Sequence, residues 1–444
     1  MSYLQELAAF ACGTRLADLP RQVLERTRWL VADSLPVIAA GMQQPEMQAL
    51  LKHYSSKGKS SVLGTGKRGG CLDAALLNGT AGTWLELNEG NLIAKGHPGI
   101  QVLPAALALA QESGASGEAL LMAIALGYEV CSRISRAAQV KLSVHPHGTW
   151  GTLGAAVAAG RLKRFDERRM RELMNVSATM GMATSRQTLL DGATVRNIFT
   201  GHSGYMGLTA VRLVECGFTG EADSPASIYG KVLGEGFDPA KAGEALGRDW
   251  ILAQGYFKLH PTGRYVHSAI DALEDLLSRS GALEIAKIER IEVRAYKLAA
   301  MLKEKRVTTS FGARFSVPFA LATILHHGRS GLAAFEQAAV DNPAIQALAA
   351  RVEVHEDAGY TARYPAEQRV DLRIAMSGGN AHEGRCTITK GEPSRPHTPE
   401  ELRAKFMQLG APVWGEAAAR RLLEGCLRLE ELPDVSRFAE GFDL

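Results

Sequence analysis

The sequence of 444 residues lacks an uninterrupted apolar run of the roughly 18 residues that a membrane-spanning helix needs. It also lacks a dense block of basic residues, since 50 Lys and Arg are balanced by 47 Asp and Glu and the net charge is +3. Proteins that bind nucleic acid or a membrane surface usually carry such a block. We therefore expect neither a nucleic acid nor a membrane as a partner.

Closely spaced cysteines are missing as well. The six cysteines lie far apart and form no Cys-x-x-Cys pair. This spacing argues against an iron–sulfur cluster and favours reduced, mostly buried thiols. The first segment, MSYLQELAAFACGTRL, has no basic region followed by an apolar core, so it predicts an amphipathic helix rather than a signal peptide. Together these features predict a cytoplasmic protein.

Several motifs that bind cofactors or carry nucleophiles are also missing. There is no Gly-x-Ser-x-Gly nucleophile signature. The glycines of GEGFDPAKAGEALG follow no predicted strand, which argues against a phosphate-binding loop. The pair His145 and His147 lacks a third ligand at a familiar spacing, so it is a weak metal chelate. We expect neither a metal nor an organic cofactor.

What the sequence does contain, through about residue 260, is helical periodicity. The segment between Pro20 and Gly41 has apolar residues at helical spacing. The segments QVLPAALALAQESG and GEALLMAIALGYEVCSRIS are apolar nearly all round, which predicts interior helices. The segment GTLGAAVAAGRL is rich in Gly and Ala, so neighbouring backbones can approach closely there. Alternating strand patterns are almost absent from this half.

The pattern changes after about residue 285, where IERIEVRAY, RVEVHED, QRVDLRIAM and GRCTITK each predict a strand. Helical segments such as VPFALATILHH lie between them, and helical periodicity returns from TPEELRAKFMQLG onward. The sequence therefore predicts a mainly α fold with two domains. Residues 1–265 together with 397–444 are expected to form a large helical domain, and residues 266–396 an inserted α+β lid.

Four polar clusters interrupt these apolar surroundings. Each has an unremarkable interpretation by itself: a histidine beside proline is often a turn residue, and two glutamates three apart can share a solvated helix face. A cleft that combines them could bind a substrate with several carboxylates and move a proton on it, because arginine and lysine bind carboxylates and a histidine exchanges protons near neutral pH. The clusters are Glu86, Glu89, Lys95 and His97; His145 and His147; Asp191, Arg196 and His202; and Lys258, His260, Arg264 and His267.

The clusters, in this order, resemble the MmgE/PrpD family of 2-methylcitrate dehydratase, cis-aconitate decarboxylase and iminodisuccinate epimerase. The resemblance covers nearly the whole chain. It is carried by NGTAGTWLELNEGN with the following GHPGIQVLPAALALAQ, by HPHGTWGTLGAAVAAG, by VRNIFTGHSGYMG, by FKLHPTGRYVHSAIDA and by RFSVPFALA. It implies a helical domain with an inserted α+β lid, a cleft between them and a homodimer. Its motifs imply that the cleft is lined by Glu86, Glu89, His97, His145, Arg196, Lys258 and Arg264.

Some positions depart from the family pattern. Thr83 and Phe199 stand where a histidine is common, and Phe319 stands where the family has a tyrosine. Arg196 replaces a lysine, and His260 replaces a tyrosine. At least two proton donors are lost and one imidazole is gained, so the choice among the family's reactions stays open. The acidic patch reads Glu86, Asn88, Glu89 and Gly90 instead of an aspartate-rich segment followed by threonine.

The first hypothesis is a cofactor-independent lyase of the 2-methylcitrate dehydratase type, acting on a small di- or tricarboxylate. A base removes a proton α to a carboxylate and a β-hydroxyl group leaves as water. Lys258, Arg264 and Arg196 are expected to anchor carboxylates, and His97 and His145 to exchange protons.

The remaining site residues have less defined roles. Glu86 or Glu89 would orient an imidazole or bind the leaving hydroxyl, and His260 and His267 would contact substrate. Lys258 could equally be the base if burial lowers its pKa.

Two alternatives remain. The same cleft could support epimerisation or decarboxylation, because lost hydroxyl donors hinder the expulsion of water more than the movement of a proton. The chain could also be a carboxylate-binding protein without catalytic activity.

Overall fold

The computed structural model describes residues 2–54 and 56–438, and its architecture is mainly α with small sheets. This confirms the predicted fold class. The helices of the first 260 residues are α1 (Tyr3–Gly13), α2 (Arg21–Met42), α3 (Pro45–Leu51), α4 (Cys71–Trp84), α5 (Pro98–Ser113), α6 (Gly117–Ala137), α7 (Trp150–Leu162), α8 (Glu167–Ala178), α9 (Gln187–Leu190), α10 (Ile198–Glu215) and α11 (Pro239–Gly243).

The sequence sets the ends of these helices through caps. Ser2 begins α1 with a capping box, in which its hydroxyl accepts a hydrogen bond from the Gln5 amide. The helix predicted between Pro20 and Gly41 is α2, and Pro20 is its N-cap. Because proline has no amide hydrogen, it costs no hydrogen bond at this position.

Helices α6 and α7 make the close backbone contact that the Gly/Ala segment predicts. A Cβ atom on Gly154 would lie 2.7 Å from the Cys131 sulfur and 2.9 Å from the Gly127 carbonyl oxygen. A Cβ atom on Gly127 would lie 2.6 Å from the Gly154 carbonyl oxygen. Both positions therefore require glycine, and α7 lies deep in the helical core.

Two short antiparallel strand pairs in this half were not predicted. Each strand has only three or four residues, which is too short for a recognisable alternation of apolar and polar side chains. The pairs are β1 (Ser60–Val62) with β2 (Lys67–Gly69), and β3 (Ala138–Val140) with β4 (Gly234–Phe237).

The second part of the chain is built on one four-stranded sheet in the order β6-β5-β7-β8. Strand β5 (Ile288–Ala295) pairs in parallel with β6 (Val352–Glu356) and antiparallel with β7 (Val370–Met376). Strand β8 (Ala381–Cys386) begins and ends before the segment predicted for it. It ends at Cys386 because that residue pairs with Val370, where β7 begins. The helices of this part are α12 (Arg264–Ser280), α13 (Lys297–Ala300), α14 (Ser310–Ala313), α15 (Val317–His327), α16 (Gln337–Val340), α17 (Pro343–Ala349) and α18 (Ala358–Arg363).

The C-terminal helices return to the first half of the chain. Helix α19 (Pro399–Trp414) packs against α2 and against α20 (Glu416–Leu427). Their apolar side chains, such as Phe406 and Leu422, belong to the same buried core as the first helices. A separate core is formed by buried residues between Val266 and Cys386. The predicted boundary at 265/266 lies in the first turn of α12, and residues 439–444 of the predicted helical domain lie outside the described residues.

Among the described residues, no helix is long and apolar enough to cross a membrane. The six cysteines are free thiols, as expected from their spacing. Cys131, Cys386 and Cys426 are buried, but Cys12 and Cys71 are half-buried and Cys216 is exposed, so only half of them meet the expectation of burial.

Candidate active site

A cavity of about 390 Å³ lies where the two cores meet. Its wall combines the loop before α5, the segment before α7 and the segment before α10 with residues of the second core. Five of the residues predicted from the sequence line it: Glu86, His97, His145, Arg196 and Arg264.

The loop between α4 and α5 has a fixed backbone. Glu86 directly follows the C-cap of α4 and has a φ of 53°, a left-handed conformation that costs a non-glycine residue energy. Gly90 pairs with Tyr256 as an isolated β-bridge, and its Cβ would lie 2.3 Å from the Tyr256 hydroxyl oxygen. The strained position and the glycine together bring the Glu86 side chain into the cavity wall.

Glu86 is the centre of a buried ion cluster. Its Oε1 accepts a hydrogen bond of 2.5 Å from Arg196, and its Oε2 accepts one of 3.3 Å from the Lys258 ammonium. Lys258 also donates to the Glu86 carbonyl oxygen at 3.2 Å. All three side chains are at most 2% exposed. Lys258 is not among the cavity-lining residues, and it supports Glu86 from behind.

Arg314 adds a third buried cation beside Glu86. It donates to the carbonyl oxygens of Leu85 at 3.1 Å and Pro261 at 2.9 Å, and it forms no ion pair within the described part of the chain. Burial lowers its pKa to about 10, so it is charged at neutral pH. Arg196 and Lys258 therefore bind the Glu86 carboxylate directly, and the charge of Arg314 acts on it without an ion pair.

The pKa values in this cluster reflect burial in competition with charge. Burial alone would raise the pKa of Glu86, but the charges of Arg196 and Lys258 outweigh it and lower that pKa. Burial lowers the pKa of Lys258 to about 8, and the nearby Glu86 carboxylate limits the fall. At neutral pH Glu86 is ionised, and Lys258 is mostly charged.

Two imidazoles in the cavity wall form a direct pair. His147 Nε2 lies 2.7 Å from His97 Nδ1, and the two rings meet edge to face. The remaining nitrogens, His97 Nε2 and His147 Nδ1, have no hydrogen-bond partner within the described residues. A neutral imidazole has one N–H and one lone pair. When His97 donates to His147, His97 Nε2 carries a lone pair. When His147 donates, His97 Nε2 carries a proton.

His145 is held in a third arrangement. Its Nδ1 accepts a hydrogen bond from the His147 amide at 3.1 Å, and its Nε2 faces the Arg196 Nε–H at 3.3 Å. A neutral imidazole can accept from one of these two donors and an imidazolium from neither, so this arrangement favours neutral His145.

The three histidines share the same electrostatic environment. Burial, followed by the charge of Arg196 and of other nearby cations, holds the pKa of His97, His145 and His147 well below its ordinary value. All three imidazoles are therefore neutral at pH 7 and can accept a proton.

Glu89, the second glutamate of the loop, lies behind the cavity. Its Oε1 accepts a hydrogen bond of 2.6 Å from the Gly99 amide in the first turn of α5, and its Oε2 accepts one of 3.3 Å from the Tyr128 hydroxyl. A carboxylate at this end of a helix satisfies an amide that has no partner within the helix. Burial raises its pKa to about 8. Glu89 therefore positions α5 and its N-cap residue, His97.

The fourth polar cluster divides into two groups. Arg264 lines the cavity, pairs with Glu392 at 2.6 Å and lies over the Tyr256 ring. His260 and His267 are not among the lining residues; their rings are in contact with each other. Their sequence spacing predicts that they line the cleft with Arg264, but neither is in the cavity wall: His260 precedes α12, and His267, on α12, has its Nδ1 3.4 Å from Arg264.

A possible metal-ligating set contains His260, Asp271 and Glu274, whose ligand atoms lie within 4.8 Å of one another. Asp271 already accepts hydrogen bonds from the Lys390 amide at 2.7 Å and from Arg395 at 3.0 Å. The set is therefore arranged as a hydrogen-bonded ion cluster, outside the cavity wall.

Three of the positions that depart from the family pattern, Thr83, Phe199 and Phe319, have local partners. The Thr83 hydroxyl donates to the Asn197 carbonyl oxygen at 3.2 Å. Phe199 contacts the edge of His145, while Phe319 lies in the second core against Phe335. The Asn88 amide oxygen has no partner within the described residues.

Two residues of the site were not predicted to take part in it, His147 and Arg314. The sequence places His147 beside His145, but its contact with His97 joins residues 50 positions apart. Arg314 lies in the segment RFSVPFALA, where the motif drew attention to Phe319 instead. The motif around His145 also contains His147 and could have identified it, whereas no local pattern identifies Arg314.

Comparison with known proteins identifies relatives along nearly the whole chain. The profile of the MmgE/PrpD N-terminal domain matches residues 5–234, and that of the MmgE/PrpD C-terminal domain matches residues 260–430. The chain is 25% identical to the cis-aconitate decarboxylase-like protein oryM of Aspergillus oryzae (strain ATCC 42149 / RIB 40), covering 97% of this chain and 95% of the relative.

Two further relatives are cis-aconitate decarboxylases. The one from Aspergillus terreus is 23% identical, with 98% of this chain and 94% of the relative covered. The one from Homo sapiens is also 23% identical, with 98% and 93% covered. The two profiles together span most of the sequence, and the chain belongs to the MmgE/PrpD family.

Proposed function

We propose that the protein is a cofactor-independent lyase that removes carbon dioxide from a small di- or tricarboxylate such as cis-aconitate. The observation that carries this proposal is an excess of positive charge in the cavity wall, next to three neutral imidazoles. The lining contains one acidic residue, Glu86, and four basic ones, Lys95, Arg186, Arg196 and Arg264.

The positive charge is only partly compensated by the protein. Glu86 forms an ion pair with Arg196, and Glu392 forms one with Arg264. Lys95 donates to the Ser135 and Ala138 carbonyl oxygens, and Arg186 donates to those of Leu142 and Val144. Neither forms an ion pair with a carboxylate in the described part of the chain, so a polyanionic substrate would supply the missing negative charge.

Decarboxylation requires a group that stabilises the electron pair of the broken carbon–carbon bond and a donor of one proton to the remaining carbon. When the bond to the departing carboxylate breaks, its electrons move toward the remaining unsaturated carboxylate and form an enolate-like anion. Arg196 and the charges behind Glu86 stabilise that anion. A proton then adds to carbon, which gives the unsaturated product.

His97 is the proposed proton donor and acceptor. His97 lines the cavity, its Nε2 has no protein partner within the described residues, and His147 sets whether that atom carries a proton. A proton released to the substrate carbon is replaced through the pair, with solvent as the final source. His145 is the second proposed exchange group, held neutral by the His147 amide and Arg196.

Dehydration of a hydroxy acid, as in 2-methylcitrate dehydratase, is the second candidate. Expulsion of hydroxide needs an acid at the leaving oxygen as well as a base for the α proton, whereas decarboxylation needs only one proton donor. Lys258 favours this alternative, because its pKa of about 8 leaves it protonated at neutral pH and it hydrogen-bonds to Glu86 in the cavity wall. Decarboxylation is preferred because the relatives are named for it.

The division into a helical domain and a lid, the homodimer and the cytoplasmic location also belong to this proposal. What supports the division is that the two buried cores share no residue. Light scattering on the purified protein tests the dimer, because the proposal expects twice the mass of 47.6 kDa.

Product analysis by proton NMR tests the reaction. Chelator-treated protein is incubated with cis-aconitate, trans-aconitate, citrate, 2-methylcitrate, iminodisuccinate and malate in turn. Itaconate signals support decarboxylation, whereas a new vinyl signal from a hydroxy acid establishes dehydration. Absence of turnover, with thermal stabilisation by a polycarboxylate, would replace the proposal with a non-catalytic binding protein. His97→Asn is the matched control for background reaction.

A further inference from the structure

One buried amide, that of Gln101, connects three segments behind the cavity wall. Its Nε2 donates to the His97 carbonyl oxygen at 3.0 Å, and its Oε1 accepts from the Gly148 amide at 3.0 Å and from the Ser203 hydroxyl at 2.9 Å. These partners belong to the loop before α5, the segment before α7 and helix α10. Gln101 is fully buried and is not among the cavity-lining residues, so it acts on a substrate only through its partners.

The partners fix the orientation of this amide. The oxygen of a primary amide accepts hydrogen bonds, whereas its nitrogen donates them. The His97 carbonyl group can only accept and the Gly148 amide can only donate. If the Gln101 amide were reversed, oxygen would face oxygen and N–H would face N–H, and both hydrogen bonds would be lost. The side chain is therefore a directional cross-link between two backbones.

The start of α7 is shaped to accommodate Gln101. A Cβ atom on Gly151, in the first turn of this helix, would lie 2.1 Å from Gln101 Oε1, so the side chain occupies space that only glycine leaves open. Gly148 has a φ of 86°, a left-handed conformation that glycine adopts without steric cost. The chain that follows His147 thus brings its amide directly to Gln101.

The cross-link joins the backbones that carry the imidazole pair. Gln101 binds the carbonyl group of His97 itself and the amide of Gly148, the residue that follows His147. Between them, His97 Nδ1 and His147 Nε2 lie 2.7 Å apart. A hydrogen bond of this kind is lost when its two atoms separate beyond about 3.5 Å, so the spacing of the two backbones decides whether the pair forms.

We propose that Gln101 is a positioning residue for the imidazole pair of His97 and His147. Its amide sets the distance between the two backbones, and this distance maintains the hydrogen bond that controls the proton on His97 Nε2. The consequence for catalysis rests on the proposed function, whereas the geometry of the pair does not depend on it.

The same helix provides a matched control, Gln111. This glutamine is also fully buried; its Oε1 accepts from the Ser61 amide at 2.8 Å, and its Nε2 donates to the Phe438 carbonyl oxygen at 2.6 Å. It is not among the cavity-lining residues. Methionine has a similar length and no amide, so Gln101→Met and Gln111→Met each remove a buried cross-link of α5. Both variants are expected to unfold at a lower urea concentration than the wild type.

Crystal structures of the full-length variants test the geometry. In Gln101→Met, the distance between His97 Nδ1 and His147 Nε2 is expected to exceed about 3.5 Å, whereas in Gln111→Met the pair stays intact. An unchanged distance in Gln101→Met, or an equal separation in the control, would overturn the assignment.

Steady-state kinetics test whether Gln101 acts through His97. In Gln101→Met, kcat is expected to fall at least about tenfold while KM stays within about twofold, because a catalytic group is displaced and no substrate contact is removed. In the His97→Asn background, Gln101→Met is expected to have no further effect on kcat. A fall of the same size in that background, or an equal fall in Gln111→Met, would make Gln101 a general structural residue.

The two kinds of measurement separate this inference from the proposed function. If the wild type converts no polycarboxylate, the proposed function fails and the crystal distance still decides on Gln101. Turnover by the wild type together with an unchanged distance in Gln101→Met removes the positioning role alone. If Gln101→Met does not fold, Ser203→Ala removes one of the two donors to Gln101 Oε1. A longer distance and a lower kcat are then expected, and no change in either would overturn the proposal.

Discussion

Replacing Glu86 by glutamine should weaken the fold and change the pH dependence of activity together. The carboxylate accepts from Arg196 at 2.5 Å and from Lys258 at 3.3 Å, and all three groups are buried. Loss of one partner in a buried ion pair costs about 3–5 kcal/mol. Glutamine keeps the volume and one acceptor oxygen, so the free energy of unfolding should fall by about 3 kcal/mol.

The pH effect follows from Lys258. Burial lowers its pKa to about 8, and the Glu86 charge prevents a larger fall. If protonated Lys258 is required, kcat/KM of the wild type decreases above about pH 8. Without the Glu86 charge, burial is less opposed and the pKa of Lys258 falls further. The alkaline limb of the profile should therefore move to lower pH in Glu86→Gln.

Urea unfolding and the pH dependence of kcat/KM are the assays. Glu129→Gln is the matched control, since Glu129 forms a fully buried pair with Arg133 and is not among the lining residues. The control should lose stability without a shift of the alkaline limb. An alkaline limb that stays near pH 8 in Glu86→Gln would refute the electrostatic coupling of Glu86 and Lys258.

Three further outcomes are expected. His145→Gln should lower kcat by roughly 10²–10⁴-fold, the loss expected when an acid–base group is removed. An unchanged rate would mean that His145 is only a structural residue of the turn. Lys258→Ala should abolish turnover, because Lys258 holds both the carboxylate and the backbone carbonyl of Glu86 in the cavity wall, and near-normal kcat/KM would contradict the cluster's role. Burial lowers the pKa of His147 in the folded state below its value in the unfolded chain. As the pH falls below about 6.5, the unfolded state therefore binds more protons than the folded state, and the free energy of unfolding decreases. Urea unfolding at pH 5 and 7 should show this slope reduced by about 1.4 kcal/mol per pH unit in His147→Asn, whereas an unchanged slope would count against burial of a neutral imidazole.

Much of the architecture could be predicted from the sequence because long helices carry a strong periodic signal. The apolar segments that became α5, α6 and α7 were identified by their composition, and the sheet strands by alternation. Short strands such as β1 and β3 could not be, since three residues do not establish a period.

The lining of the candidate cavity could be predicted only at positions where a single motif supplies a single side chain. His97 and His145 each follow a recognisable segment, and both line the cavity. Glu89 lies beside Glu86 in sequence, yet the positive φ of Glu86 turns the chain, and Glu89 meets the end of α5 instead. The contact between His97 and His147 depends on how two distant segments pack, which no local pattern encodes.

Deuterium transfer from solvent tests the central claim most directly. Chelator-treated wild-type protein and His97→Asn are incubated with cis-aconitate in D2O, and the product is examined by NMR. A lyase that uses His97 as its proton donor places one solvent deuterium on carbon in the product, and the variant does so at least 100-fold more slowly, on the order expected for a lost acid–base group. Product formed at an equal rate by both proteins, or no exchange and no product with the wild type, would contradict the proposed role of this cavity.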